Sequence, residues 1–276
     1  MSVESAIHSP NYWSFWGLER PPFASGLQPA FHHETAGLAE AEARLRFLAS
    51  GTRQAALLLG ERGSGKTLLV NRFAQTSRGQ NRSVAVVDAA GLSPTELLWQ
   101  TSSALAIGPG KHETQVALFR QLADFAFTHG TNPPTILIVD NADQAGPDLQ
   151  TQLIRLMRLP APANWLALVL VSETQAAGRL QASLLEAVDL QIDLENWTEE
   201  ETIGYLQMAL FEAGCDRPAF DQEALGALHA LAEGIPRRVN RLAEQALIAG
   251  AAEQAEQVRV ETIEAAFASL SFVAAN

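Results

Sequence analysis

Cysteine is almost missing from this chain. Cys215 stands alone, which excludes an intramolecular disulfide and fits a reducing compartment. Lysine is nearly as scarce: Lys66 and Lys111 are the two present, so most of the basic charge is arginine. No run of basic residues interrupts a formal net charge of -12, made of 19 basic and 31 acidic side chains. Such a surface repels nucleic acid on average, because non-specific binding needs clustered cations. Long apolar stretches are missing too. The strongest, around residues 55–59 and 165–171, fall far short of the ~20 residues that a membrane helix needs. The opening residues lack the basic-then-apolar order of a signal peptide. The expectation is a cytoplasmic protein with no membrane segment and no nucleic-acid partner.

What is there suits a folded protein. Across 276 residues, 47% are hydrophobic and 18% charged, enough for a sizeable core and a smaller satellite. Residues 1–33 are rich in aromatics, Pro and Gly and read as an irregular lead-in packed on the core. Short apolar runs at 55–59, 84–88, 135–140 and 165–171 read as strands, and 190–194 reads as the last core strand. Helical periodicity separates them, at 34–49 (Leu38, Ala41, Leu45, Leu48), 67–75, 94–105, 113–128 and 148–159. Strands alternating with helices imply a parallel sheet covered on both faces. After Trp197 the character changes to helices broken at Gly214, Pro218 and Gly234-Ile235-Pro236. The expected division is 1–33 lead-in, 34–196 α/β domain and 197–276 helical lid.

The chemistry is carried by Gly60-Glu61-Arg62-Gly63-Ser64-Gly65-Lys66-Thr67, which matches G-x-x-x-x-G-K-[ST] between a strand and a helix. Glycines let backbone N–H groups turn toward phosphates, and the helix that follows points its positive end at them. Lys66 places a cation on the β and γ phosphates and Thr67 offers a hydroxyl to Mg²⁺, and Leu68 is counted with the nucleotide-binding residues. A phosphate loop needs a second acid at the tip of a hydrophobic strand, and Asp140, ending Ile136-Leu137-Ile138-Val139, has that form. These residues predict ATP or ADP bound with Mg²⁺, the metal shared by Thr67 and Asp140.

The next position is occupied by Asn141. An amide orients water but cannot take its proton. Asp143, two residues on, and Glu173, after the neighbouring strand, are the candidate substitutes; the other reading has Asn141 capping the turn of a slow or silent site.

Several features together resemble the ExeA/GspA-like (general secretion pathway A type) AAA+ ATPases, which are grouped with transposition ATPases. They are Tyr12-Trp13 through Phe15-Trp16-Gly17-Leu18, Pro22-Phe23, the 40–48 helix, the phosphate loop, Leu92-Ser93-Pro94 before Glu96-Leu97-Leu98, and Gly234-Ile235-Pro236-Arg237-Arg238-Val239-Asn240. The resemblance spans nearly the whole chain. It implies an α/β P-loop NTPase (AAA+) fold with a five-stranded parallel sheet in the order 5-1-4-3-2, followed by a small all-α lid. It makes Ser172 the sensor 1 hydroxyl beside the γ-phosphate, and Arg237 sensor 2, with Arg238 the competing choice. Relatives often carry an arginine finger before the last core strand. Here Ala187-Val188-Asp189 fills that region and Arg179 is the nearest substitute. Secretion-pathway members also continue into a membrane helix and a periplasmic peptidoglycan-binding part, which these residues do not contain.

The leading expectation is an ATPase switch, forming a homo-oligomer on nucleotide and remodelling an unknown protein client. The alternatives are a weakly hydrolysing nucleotide-responsive scaffold and a transposition-type regulator assembled on DNA. His32-His33 with Glu34 lacks a third metal ligand at sensible spacing and reads as a surface turn. Tyr12, Trp13 and Trp16 have two readings, packing near the adenine or plain packing of the lead-in.

Overall fold

The computed structural model describes residues 12–23, 35–129, 133–161 and 164–274. They divide into two compact units, Ala36–Glu195 and Asn196–Asn276 together with the described residues ahead of Ala36. The elements in chain order are α1 Tyr12–Trp16, α2 Ala36–Phe47, β1 Ala55–Gly60, α3 Lys66–Gly79, β2 Val84–Asp88, α4 Pro94–Ala104, α5 Gln115–His129, β3 Thr135–Asp140, α6 Pro147–Met157, β4 Leu166–Glu173, α7 Ala182–Leu185, β5 Leu190–Leu194, α8 Glu199–Glu212, α9 Gln222–Ala232, α10 Pro236–Ala252 and α11 Val260–Ala274.

In the α/β unit the five strands form one sheet in the order β2-β3-β4-β1-β5, with every pairing parallel. This is the expected order read from its other edge. The inner strands are buried on both faces, which is why they read as continuous apolar runs rather than alternating ones. Leu57, Val139, Leu168 and Leu170 enter one core cluster, together with Leu97 and Leu98 of α4 and Leu149 and Leu153 of α6. Leu58, Ile138, Val169 and Val171 enter the other, against Leu69, Val70 and Phe73 of α3. Ser93 starts α4 with a reciprocal capping box to Glu96 and Pro94 in the first turn. Such a cap stabilises a helix by roughly 1 kcal/mol and fixes where it begins.

The chain leaves β1, builds β2 and β3, and only then lays β4 between β3 and β1. That insertion brings the carboxyl ends of β1, β4 and β3 side by side, the place where open α/β sheets bind ligands.

The other unit is built from α1 and α8 to α11 around a cluster that includes Trp16, Phe23, Leu206, Val239, Leu242 and Leu247. The lead-in was expected against the α/β core. Its described part, residues 12–23, packs into this helical unit instead. Trp16 is 1% exposed, and its indole N–H donates to the Leu247 carbonyl at 2.8 Å, so the ring is both buried and satisfied. Thr198 and Glu201 form the capping box that starts α8. The glycine of the Gly234-Ile235-Pro236 signature sits at φ +64°, and a Cβ there would overlap the Trp197 carbonyl carbon and oxygen. Only glycine meets both constraints, and its carbonyl accepts the Trp197 N–H at 2.9 Å.

Gly234→Ala is expected to destabilise the helical unit by about 2 kcal/mol or more, lowering its melting temperature by roughly 5 °C or more in circular dichroism. A melt superimposable on the wild type would refute this account of the turn.

Candidate functional site

The loop that leaves β1 is shaped by close packing and by glycines. A Cβ on Gly60 would stand 2.8 Å from Ser64 Oγ and 2.9 Å from the Leu194 carbonyl oxygen, so the strand end is pressed against the loop and β5. Gly63 at φ 94° and Gly65 at φ 101° take left-handed conformations that side chains rarely adopt. Gly65 is the N-cap residue of α3, whose first backbone N–H groups lack helical acceptors and carry the positive end of the helix dipole. Lys66 Nζ donates to the carbonyls of Gly60 and Glu61, both at 2.9 Å. Ser64 is buried, and its Oγ finds no hydrogen-bond partner. Arg62 is an exposed side chain of the loop, with Nε 3.9 Å from Glu173. Leu68 is half-buried in the first turn of α3.

Thr67 Oγ1 donates to Asp140 Oδ2 at 2.7 Å, across the tip of β4. The other carboxylate oxygen of Asp140 accepts the Asn141 N–H at 2.9 Å, and the residue is 8% exposed. Phosphate loop and β3 acid, 73 residues apart in sequence, are thus joined directly. Asn141 itself sits at φ 52°, a left-handed position that asparagine tolerates better than most residues. Its side-chain N–H donates to Asp88 Oδ1 at 2.8 Å, at the end of β2. The amide is therefore committed to the edge strand.

Two residues at the tip of β4 part company. Ser172 is fully buried and its hydroxyl donates to the Glu173 carbonyl at 2.9 Å. By strand alternation it shares the face of Leu168 and Leu170, opposite α3. The hydroxyl expected beside a γ-phosphate is not brought to the cluster. Glu173 shares the face of Val169 and Val171, on the side of α3, lies in register with Gly60, and has a side chain 41% exposed. Its backbone N–H is 3.4 Å from Oδ1 of the buried Asp143.

Charge concentrates here. Burial pulls the Lys66 ammonium below the ordinary lysine range, while Glu173, then Asp140, Asp143 and Glu61, push it back up. Four carboxylates around one ammonium leave negative charge that a divalent cation would balance. Among the described residues no group of three or more His, Cys, Asp or Glu is arranged to hold a metal alone. Mg²⁺ needs no such cage, since it takes one or two carboxylates and fills its octahedron with water and phosphate oxygens. The Thr67–Asp140 pair fits that habit, and the orphaned Ser64 hydroxyl and tight Gly60 cradle fit a bound phosphate chain.

The remaining candidates lie elsewhere. Arg237 is exposed in the first turn of α10 and makes no hydrogen bond or ion pair among the described residues. Arg238 pairs with Glu233 at 2.6 Å. Arg179 ends a short 3-10 turn after β4 and is exposed. Asp189 accepts the Gln54 N–H at 2.8 Å, binding the start of β5 to the start of β1 rather than marking a finger site. Cys215 is buried, burial raises its thiol pKa, and Sγ donates to the Arg217 carbonyl at 3.2 Å, so the thiol is inert. His32, His33 and Glu34 lie outside the described residues. The Asn141–Asp88 bond is what sequence reasoning missed; an acid ending β2 opposite the end of β3 was its only trace.

The AAA domain family matches residues 49–180. General secretion pathway protein A of Aeromonas hydrophila is 26% identical over 253 residues, covering 90% of this chain and 46% of that protein. The chain thus spans about half the length of this curated relative. Among solved structures, the Aeropyrum pernix ORC2 protein superposes with a TM-score of 0.67 at 15% identity, over 92% of this chain and 72% of that one. Cdc6p of Pyrobaculum aerophilum gives 0.66 at 16% identity, over 86% and 67%. These two likenesses are of fold. Among the described residues no helix is long and apolar enough to cross a membrane.

Substitutions at residue 141 test the local geometry. Asn141→Gly should be tolerated best, Asn141→Ala should cost about 1 kcal/mol through left-handed strain, and Asn141→Glu should cost more by setting a carboxylate against Asp88. Chemical denaturation would reveal the order, and a glutamate variant as stable as the wild type would contradict it.

Proposed function

We infer that this chain, an AAA+ protein resembling the general secretion pathway A type in sequence, binds ATP with Mg²⁺ at the loop of residues 60–67 and hydrolyses it. The Thr67–Asp140 hydrogen bond carries this reading, because it sets a hydroxyl and a carboxylate side by side at the rim of a phosphate cradle. Lys66 would exchange its two loop carbonyls for β and γ phosphate oxygens, a trade of equal count. The buried Ser64 Oγ and the first N–H groups of α3 supply further donors. Thr67 and Asp140 hold the metal, which when bound supplies neutralisation of charge on the phosphate oxygens. The resemblance makes Arg237 the nucleotide-sensing arginine, and we assign it that role over Arg238, which pairs with Glu233.

In this reading water attacks the γ-phosphorus in line, ADP leaves, and the change of bound nucleotide switches the state of the protein, an oligomer of it or a client. We assign the protein to the cytoplasm, where ATP is available. The second reading, a scaffold that binds ATP and barely hydrolyses it, is favoured by one observation: the residue after Asp140 is an amide held by Asp88. Phosphate release separates the two. Turnover well above ~0.01 per second, the rate of GTPases with their arginine in place, excludes the scaffold. A DNA-assembled regulator fits poorly with a net charge of -12.

Lys66→Ala is expected to weaken binding of a fluorescent ATP analogue at least 100-fold and to abolish the rise in melting temperature that ATP and Mg²⁺ give the wild type. Retained micromolar affinity would overturn the site.

A further inference from the structure

Hydrolysis of an anhydride needs an oxygen near the attacking water to take its proton as the bond to phosphorus forms. The residue after Asp140 cannot serve. Asn141 has no basic oxygen to offer, and its amide donates to Asp88 at the edge strand. The sheet order puts a different group in reach. Between β3, which carries Asp140, and β1, which delivers the phosphate loop, lies the tip of β4, and β4 ends in Glu173.

Four observations single out this carboxylate. It projects from the face of the sheet that α3 covers, the face Asp140 shares with Ile138. It stands in register with Gly60, the first residue of the loop. Among the charges that act on Lys66 it is the strongest. Its side chain is 41% exposed, open to water, whereas Asp143 is 6% exposed and lies against the Glu173 backbone N–H. The remaining contact, Arg62 at 3.9 Å, comes from a guanidinium 82% exposed and is weak in water.

We propose, building on the ATPase reading above, that Glu173 is the catalytic base of this protein, taking from β4 the part that the residue after Asp140 cannot play. The water oxygen bonds to the γ-phosphorus while the bridging P–O bond to the β-phosphate breaks, its electron pair leaving with ADP. The water proton passes to the Glu173 carboxylate and from there to solvent or the departing phosphate. Nothing is oxidised or reduced. Asp143 is a positioning residue that steadies the main chain at Glu173.

The test uses the full chain, with Glu173→Gln and Asp143→Asn beside the wild type. Each is measured for ATP affinity, phosphate release and thermal melting, and for the identity of the nucleotide retained through gel filtration. Glu173→Gln is expected to lose at least 100-fold in turnover with ATP affinity within threefold. It should carry ATP off the column where the wild type carries ADP. Glu173→Asp, which keeps the charge but withdraws it by one methylene, should lose roughly tenfold and guards against a folding artefact. Turnover of Glu173→Gln within fivefold of wild type overturns the proposal, as does a 100-fold loss confined to Asp143→Asn. A wild type that binds ATP but releases no phosphate overturns it too, while leaving the nucleotide site intact. A wild type that binds no ATP defeats the underlying ATPase reading first.

Discussion

One hydrogen bond organises this protein. Thr67 donates to Asp140 at 2.7 Å, tying the first turn of α3 to the tip of β3. The two strands concerned, β1 and β3, are not neighbours; β4 lies between them, so the bond spans two strand steps, roughly 10 Å of sheet. It forms only if the three strands keep their register. The registers pair Gly60 with Glu173 and Val139 with Leu170, so Asp140 stands level with Val171, two residues short of the tips of β1 and β4, and the first turn of α3 reaches back to it. The cores on both faces, the glycine turns and the start of α3 together hold these two side chains at hydrogen-bonding distance.

Much of this was legible in the residues. The limits read for β2, β3 and β5 are those of the structure; β3, buried on both faces, leaves an unbroken apolar run that ends at a polar residue, while β5 at the sheet edge alternates. The turn between β1 and α3 was legible in its glycines, two of which take left-handed conformations that side chains rarely adopt. Less legible was anything depending on parity or on a distant partner. The choice between Ser172 and Glu173 turns on one step along a strand, and each step swaps the faces of the sheet; neighbouring strands set that phase, not the local sequence. Trp16 carries no mark of destination either. An aromatic near the chain start can pack on any apolar surface, and here Gly250 of α10 leaves the room, with a Cβ position 3.0 Å from the indole.

Asn141 shows how a local rule and a global one can disagree. The backbone turns sharply out of β3 into a left-handed conformation, where asparagine is at home and glutamate is not. Its amide then closes the gap to Asp88, joining the tips of β2 and β3. A side chain that serves the turn is withdrawn from chemistry, which is why we assign the base to the carboxylate of the adjacent strand. The arginines divide in the same way: Arg238 is spent on Glu233, leaving its neighbour unengaged.

The scarcity of lysine has a consequence for covalent control. Of the two side-chain amines in the chain, one is Lys66, half-buried among loop carbonyls that the phosphates would displace. Acylation strips the charge from an amine and blocks its donors. In a lysine-rich protein such a mark is diluted over many harmless positions; here a single acyl group on that nitrogen would disarm the phosphate cradle.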